Sequence, residues 1–110
     1  MKLPHNTLIA PEKLTKYLLV FQPKDDKSRW LAGAGYRMNN WLQLAQDLRN
    51  QLLSLDAEFI EETRFGEMYE ICGPLTGPNG KTLKVRSYWM RETETRETKF
   101  ITMFPDKERI

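Results

Sequence analysis

The sequence predicts an α+β fold, with N-terminal helices packed on one face of a roughly four-stranded antiparallel meander sheet. Three observations carry that reading. Apolar residues recur at helical spacing between residues 11 and 55. From Ala57 onward the hydrophobic period falls to two. Between two of the alternating segments stands Thr76-Gly77-Pro78-Asn79-Gly80, a run of turn-forming residues.

The first helix is expected to begin at Pro11, because proline's missing N–H would be unpaired at that position anyway. Leu14, Tyr17 and Leu18 then share one apolar stripe, which ends at Pro23 and the polar residues after it. A short second helix is expected over Lys27–Ala32, capped by Asp26 and stopped by Gly33 and Gly35. The third is the most strongly patterned. Asn39 or Asn40 can cap it, and Gln43 lies in capping-box register with Asn40. Trp41, Leu44, Ala45, Leu48, Leu52 and Leu55 keep helical spacing, with Gln46, Asp47, Arg49 and Asn50 on the other side. Such a helix needs an apolar surface to lie on.

Strands are expected at Phe59–Thr63, Glu67–Leu75, Lys81–Glu92 and Lys99–Phe104. Leu83, Val85 and Trp89 alternate with Lys84, Arg86 and Tyr88, and Ser87 alone interrupts the apolar face. A two-residue Asn-Gly turn would put Glu70 on the buried face with Trp89. A three-residue loop, Pro78-Asn79-Gly80, pairs Leu75 with Leu83, Ile71 with Ser87 and Tyr69 with Trp89. Only the second choice keeps apolar side chains together, since a one-residue slip reverses every side chain of a strand. It also suits a type I turn closed by a glycine at positive φ. The sign-alternating run at residues 91–99 reads as a solvated excursion between strands.

At 110 residues the chain is expected to form a single domain, 1–110, and it has no repeat or low-complexity tract. The lone Cys72 excludes an internal disulfide framework and any multi-cysteine metal site. With His5 as its single histidine the chain builds no His-rich zinc site, and His5 reads as a solvated arm residue. Neither a metal nor a cofactor motif is present, so none is expected. No apolar run reaches the roughly 18–20 residues of a membrane span. The N-terminus lacks a signal-peptide core, and with a free thiol this leads to a cytoplasmic expectation without membrane partners. The net charge of +2 is too small to announce a nucleic-acid protein. It equals the local excess of residues 12–29, where Lys13, Lys16, Lys24, Lys27 and Arg29 outnumber Glu12, Asp25 and Asp26.

The chosen register places Glu70 across from Tyr88 and Cys72 across from Arg86 on the sheet face away from the helices, with Lys84 and Thr82 further along. If Thr102 faces the same way, a carboxylate, a guanidinium, a phenol and a hydroxyl converge. Metal-independent ribonucleases need a base for the 2′-hydroxyl, a cation for the phosphorane and an acid for the leaving group. Glu70, Arg86, Tyr88 and Lys84 have the side chains for those roles. A plain cross-strand surface cluster is the competing reading.

Several segments, taken in order, resemble a family of small bacterial domains of unknown function. They are Lys13-Leu14-Thr15-Lys16-Tyr17-Leu18-Leu19, Gly35-Tyr36, Phe65-Gly66-x-x-Tyr69 and Gly73-Pro74-Leu75-Thr76-Gly77-Pro78-Asn79-Gly80. Val85-Arg86-Ser87-Tyr88-Trp89-Met90 and Ile101-Thr102-Met103-Phe104-Pro105 complete the set, so the likeness spans about residues 3–105. That family is in turn similar to toxin ribonucleases of the barnase, EndoU and colicin type, which place helices before a four-stranded antiparallel sheet. The resemblance implies a phosphate contact for Thr102 and a phosphate-binding role for Lys27 at the start of the second helix. Gln22-Pro23-Lys24-Asp25-Asp26 departs from the His-Pro and glycines expected there, which removes the most natural general acid.

Two functions follow as expectations. One is a metal-independent endoribonuclease, a toxin module acting on RNA, with Glu70, Arg86, Tyr88 and Thr102 catalytic and Lys27 and Lys84 holding phosphate. The alternative is a non-catalytic interaction module paired with a neighbouring small protein, of antitoxin or immunity-like kind. Either acts as a monomer or a homodimer.

Overall fold

Pro11 stands at the first position of the first helix, as its chemistry predicts. In the computed structural model, which describes residues 1–24 and 26–107, helix α1 (Pro11–Lys13) runs directly into a π turn, Leu14–Leu18. Asp25, counted above in the basic segment, and residues 108–110 of the expected domain lie outside the described residues. In the π turn the Leu19 amide donates to the Leu14 carbonyl at 2.9 Å. An i→i+5 bond widens the turn, so residues five apart come to share a face. Leu14, Leu18 and Leu19 therefore line the core. Tyr17, expected in that stripe, is instead turned outward with 39% of its surface exposed.

Helix α2 (Ser28–Ala32) starts one residue later than expected, so Lys27 rather than Asp26 stands at its N-cap, without a side-chain cap bond, and Asp26 holds the first turn from one position earlier. Asp26 Oδ1 accepts the Ser28 amide at 3.1 Å and the Ser28 hydroxyl at 2.7 Å. The Ser28 hydroxyl, ahead of the amides around it, holds the Asp26 carboxyl below the usual range. At the other end Gly35 has φ 95°. Its amide reaches Ala32 O at 3.0 Å, and the Tyr36 amide reaches back to Leu31 O at 3.1 Å. These paired bonds close the helix and leave Leu31 and Tyr36 buried together.

A 3₁₀ turn, Met38–Asn40, leads into α3 (Trp41–Asp47), which continues as a second π turn, Leu48–Leu52. Asn40 serves the 3₁₀ turn: its Oδ1 accepts the Arg37 amide at 2.7 Å and its Nδ2 donates to Gly35 O at 2.9 Å. The capping box with Gln43 does not form, because Gln43 Nε2 donates to Asp47 Oδ1 at 2.9 Å. The Leu53 amide bonds Leu48 O at 2.9 Å, again five residues back. That shift of phase brings Leu53 into the core beside Leu44, Leu48 and Leu52, while Trp41, Ala45 and Leu55 pack at its margin. The buried Tyr36 phenol joins these pieces, donating to Asp47 Oδ2 at 2.6 Å, with Thr76 O at 3.2 Å. Burial, ahead of the Asp47 carboxylate, pushes that phenol far above its usual range.

The strands are β1 (Glu58–Glu62), β2 (Gly66–Thr76), β3 (Thr82–Glu92) and β4 (Thr98–Pro105), hydrogen-bonded in the order β1-β2-β3-β4 and all antiparallel. Leu75 pairs with Leu83, Ile71 with Ser87 and Tyr69 with Trp89, the register that the three-residue loop requires. Ser87 resolves its own anomaly. Its buried hydroxyl donates to Ile71 O at 2.8 Å and accepts Trp89 Nε1–H at 2.8 Å, so two polar groups under the helices are satisfied. A bulge between Tyr88 and Trp89 leaves Tyr88 opposite Thr102 and Trp89 opposite Phe100, whose ring meets the indole edge-on at 5.1 Å.

The turn separates two kinds of glycine. Gly80 has φ 87°, and nothing lies within 4 Å of where its Cβ would stand. Gly80→Val should therefore cost about 1–2 kcal/mol, the backbone strain alone. A Cβ on Gly77 would fall 2.0 Å from Ala34 O, where the end of α2 rests on the hairpin. Gly77→Ala should cost more than Gly80→Val, since backbone rather than a flexible side chain has to move. Urea unfolding of both variants checks the order.

Candidate functional site

Alternation along β2 and β3 divides their side chains between two faces. Tyr69, Ile71, Leu75, Val85, Ser87 and Trp89 are buried toward the helices, and Leu52 and Leu55 lie over Gly73 on that side. The opposite face bears Glu70 and Cys72 from β2, Arg86 and Tyr88 from β3, and Thr102 and Phe104 from β4. No helix covers it. Polar side chains brought together there are held by strand register rather than by a mobile loop.

Glu70 is the hub. Tyr88 OH donates to its Oε2 at 2.8 Å, and Arg86 Nη1 lies 3.8 Å from the same oxygen. Cys72 Sγ reaches its Oε1 at 3.5 Å. Arg86 is shared, because its Nη2 donates to Asp106 Oδ1 at 2.9 Å. The bond to Asp106, then contacts with Tyr88 and Glu70, push the guanidinium further above its already high range. Burial, ahead of the hydrogen bond to Glu70, raises the Tyr88 phenol. That phenol therefore stays protonated at neutral pH, with its one O–H donated to Glu70. The Tyr88 and Phe104 rings lie 5.3 Å apart and form an aromatic floor beside the charges.

Thr102 lies directly across from Tyr88, and its Oγ1 is buried with no hydrogen-bond partner. An orphaned hydroxyl costs free energy unless a further group satisfies it. Lys84 is exposed one step along the same face, two residues from Arg86. Among the described residues Lys27 makes no hydrogen bond or ion pair with this cluster. It stands at the start of α2, donating from Nζ to Tyr17 OH at 2.7 Å, with the ammonium 4.9 Å from the centre of that ring. The carboxylates acting on Arg86 are Asp106 and Glu70. The bonded cluster on the sheet is thus built without Lys27, whose ammonium is engaged by Tyr17.

Asp106 is the residue that the sequence reading missed. Its amide bonds Lys84 O at 2.9 Å, one step beyond the Val85–Pro105 pair, which delivers its carboxylate to Arg86. Working out the register of the last strand as well as that of the hairpin would have found it. Among the described residues no group of three or more His, Cys, Asp and Glu side chains is arranged to hold a metal ion.

Cys72 offers a pH test of the cluster. Burial of its sulfur, then the adjacent Glu70 carboxylate, pushes the thiol up to about 11. Because the thiolate is the nucleophile, alkylation by iodoacetamide should be slow at pH 8 and rise to a midpoint near 11 rather than near the ordinary ~8.5. Glu70→Gln should move that midpoint down.

Fold and site together define a small α+β domain whose antiparallel sheet has one packed face and one open face bearing a carboxylate–guanidinium–phenol cluster. Over residues 2–107 the chain matches the family described as Domain of unknown function (DUF6883), and it belongs to that family. No match was found among curated proteins or solved structures. Among the described residues no helix is long and apolar enough to cross a membrane.

Proposed function

We propose that the open sheet face is a metal-independent phosphodiester-cleaving site for single-stranded RNA. One observation carries the reading: Glu70 accepts the Tyr88 hydroxyl and is ion-paired with Arg86 in one cluster on the side of the two central strands away from the helices. In this reading Glu70 takes the proton from the 2′-hydroxyl, and Tyr88 returns one to the leaving 5′-oxygen. Arg86 stabilises the extra charge of the pentacoordinate phosphorus. Lys84 adds attraction along the strand. Arg86 is held by Asp106 at rest, so substrate binding exchanges that carboxylate for a phosphate, which accepts the same fork of donors.

The test compares cleavage of single-stranded RNA by the protein and by Arg86→Ala at matched concentration and moderate salt. Cleavage by the protein, reduced about a hundredfold or more in the variant, is the expected result. Binding should weaken as salt rises, because phosphate contacts release counterions. Equal rates for the two, or no cleavage and no binding by either, would overturn the proposal.

A further inference from the structure

On the helical side of the molecule a concave groove of about 260 Å³ lies between Leu19 after the first π turn, helix α2 and the start of the 3₁₀ turn at Met38. Two arginines, Arg29 and Arg37, line it, with Leu19, Ser28 and Met38. Among the described residues no carboxylate lines it. Asp26, the nearest acid in sequence, has turned its Oδ1 to the amides of Gln22 and Ser28 and to the Ser28 hydroxyl. Among the described residues no ion pair engages either guanidinium, and Arg29 lies 5.4 Å from the Phe21 ring centre.

The rim is apolar and exposed. Phe21 shows 61% of its surface and Met38 42%, and Leu42, one helical turn beyond Met38, shows 59%. Arginine, methionine and aromatic residues are the types enriched at the centres of protein interfaces, where lysine and acids are depleted. Phe21 beside Arg29 is the one pair here that suits a nucleic-acid base, whereas Met38 and Leu42 offer it nothing to stack on and favour a protein.

From this pairing of charge with aliphatic surface we infer that the groove docks a partner protein through an acidic segment. Two carboxylates of that segment would take the Arg29 and Arg37 forks, and an apolar side chain between them would cover Met38 and Phe21. Guanidinium groups suit this task because they bind carboxylates bidentately and shed water more readily than ammonium groups. The surface is separate from the Glu70 cluster, so docking here neither requires nor excludes cleavage there.

The probe is a fluorescein-labelled peptide in which two aspartates flank a leucine, read by anisotropy against the intact protein. A matched peptide with asparagines and a single-stranded oligouridine serve as controls. Saturable binding of the acidic peptide is expected, weakened roughly tenfold by either Arg29→Gln or Arg37→Gln. Met38→Asp should weaken it as well, while Arg86→Ala, on the other face, leaves it unchanged. Thermal unfolding of each variant shows that the fold is retained. Binding by Arg29→Gln and Arg37→Gln as tight as by the unaltered protein would overturn the inference, as would no binding up to about 1 mM peptide. Binding of the oligouridine that the same arginine variants abolish would assign the groove to nucleic acid instead.

Discussion

Leu48→Ala is expected to destabilise the protein by ~2–5 kcal/mol, the cost of emptying a filled core position. Leu48 is fully buried at the junction of α3 and its π turn, where its carbonyl also accepts the Leu53 amide. Truncation therefore leaves a cavity beneath the part of the helix whose geometry brings Leu52 and Leu53 inward together. Against the roughly 5–15 kcal/mol of a typical domain this is a large fraction. Urea unfolding should show an earlier midpoint with an unchanged slope. Leu42→Ala, six residues earlier and 59% exposed, should change stability by no more than about 0.5 kcal/mol. Equal losses for the two leucines would mean that the apolar stripe of α3 does not face the sheet.

On the proposed reading of the open sheet face, Glu70→Gln is expected to lower RNA cleavage by roughly 10²–10⁴-fold, the range for removing a positioned general base. The amide has the shape of the carboxylate and still accepts the Tyr88 hydroxyl, so the sheet face should keep its form. What disappears is the proton acceptor, together with one of the two carboxylates that hold Arg86. RNA binding should hold or tighten while cleavage falls, because Arg86 is then easier to recruit to phosphate. Arg86→Ala should lose both. A Glu70→Gln variant that cleaves at the original rate would leave Glu70 as a surface partner for Tyr88 and Arg86, and nothing more.

The hairpin was legible because its information is local and all-or-none. Pro78-Asn79-Gly80 offers one turn that keeps Tyr69 and Ile71 on the face of Trp89, and Gly80 takes the positive φ which that turn needs. Everything that follows from strand parity was therefore within reach, including Glu70 across from Tyr88 and Cys72 across from Arg86. Ser87 read as an interruption because its two hydrogen-bond partners, Ile71 O and Trp89 Nε1, become visible only when the strands are paired and buried.

The helices were legible at their ends and less so along their faces. Pro11, Asp26 and Gly35 act through backbone groups within a few residues, so composition predicts them. The faces depend on whether each turn closes at i+4 or i+5. Nothing in Leu14–Leu19 or Leu48–Leu53 marks that choice, which packing against the sheet decides by favouring adjacent buried leucines. Tyr17 was misplaced for this reason.

What the sequence by itself determined about this protein is its class and its register: helices before a meander, and a carboxylate, a guanidinium and a phenol on one sheet face. Period-two alternation and turn chemistry are short-range and leave one consistent answer. Only the tertiary structure decided which layer Lys27 occupies and that Asp106 holds Arg86. Those facts depend on where separate elements meet, and long-range packing rather than residue spacing sets that distance.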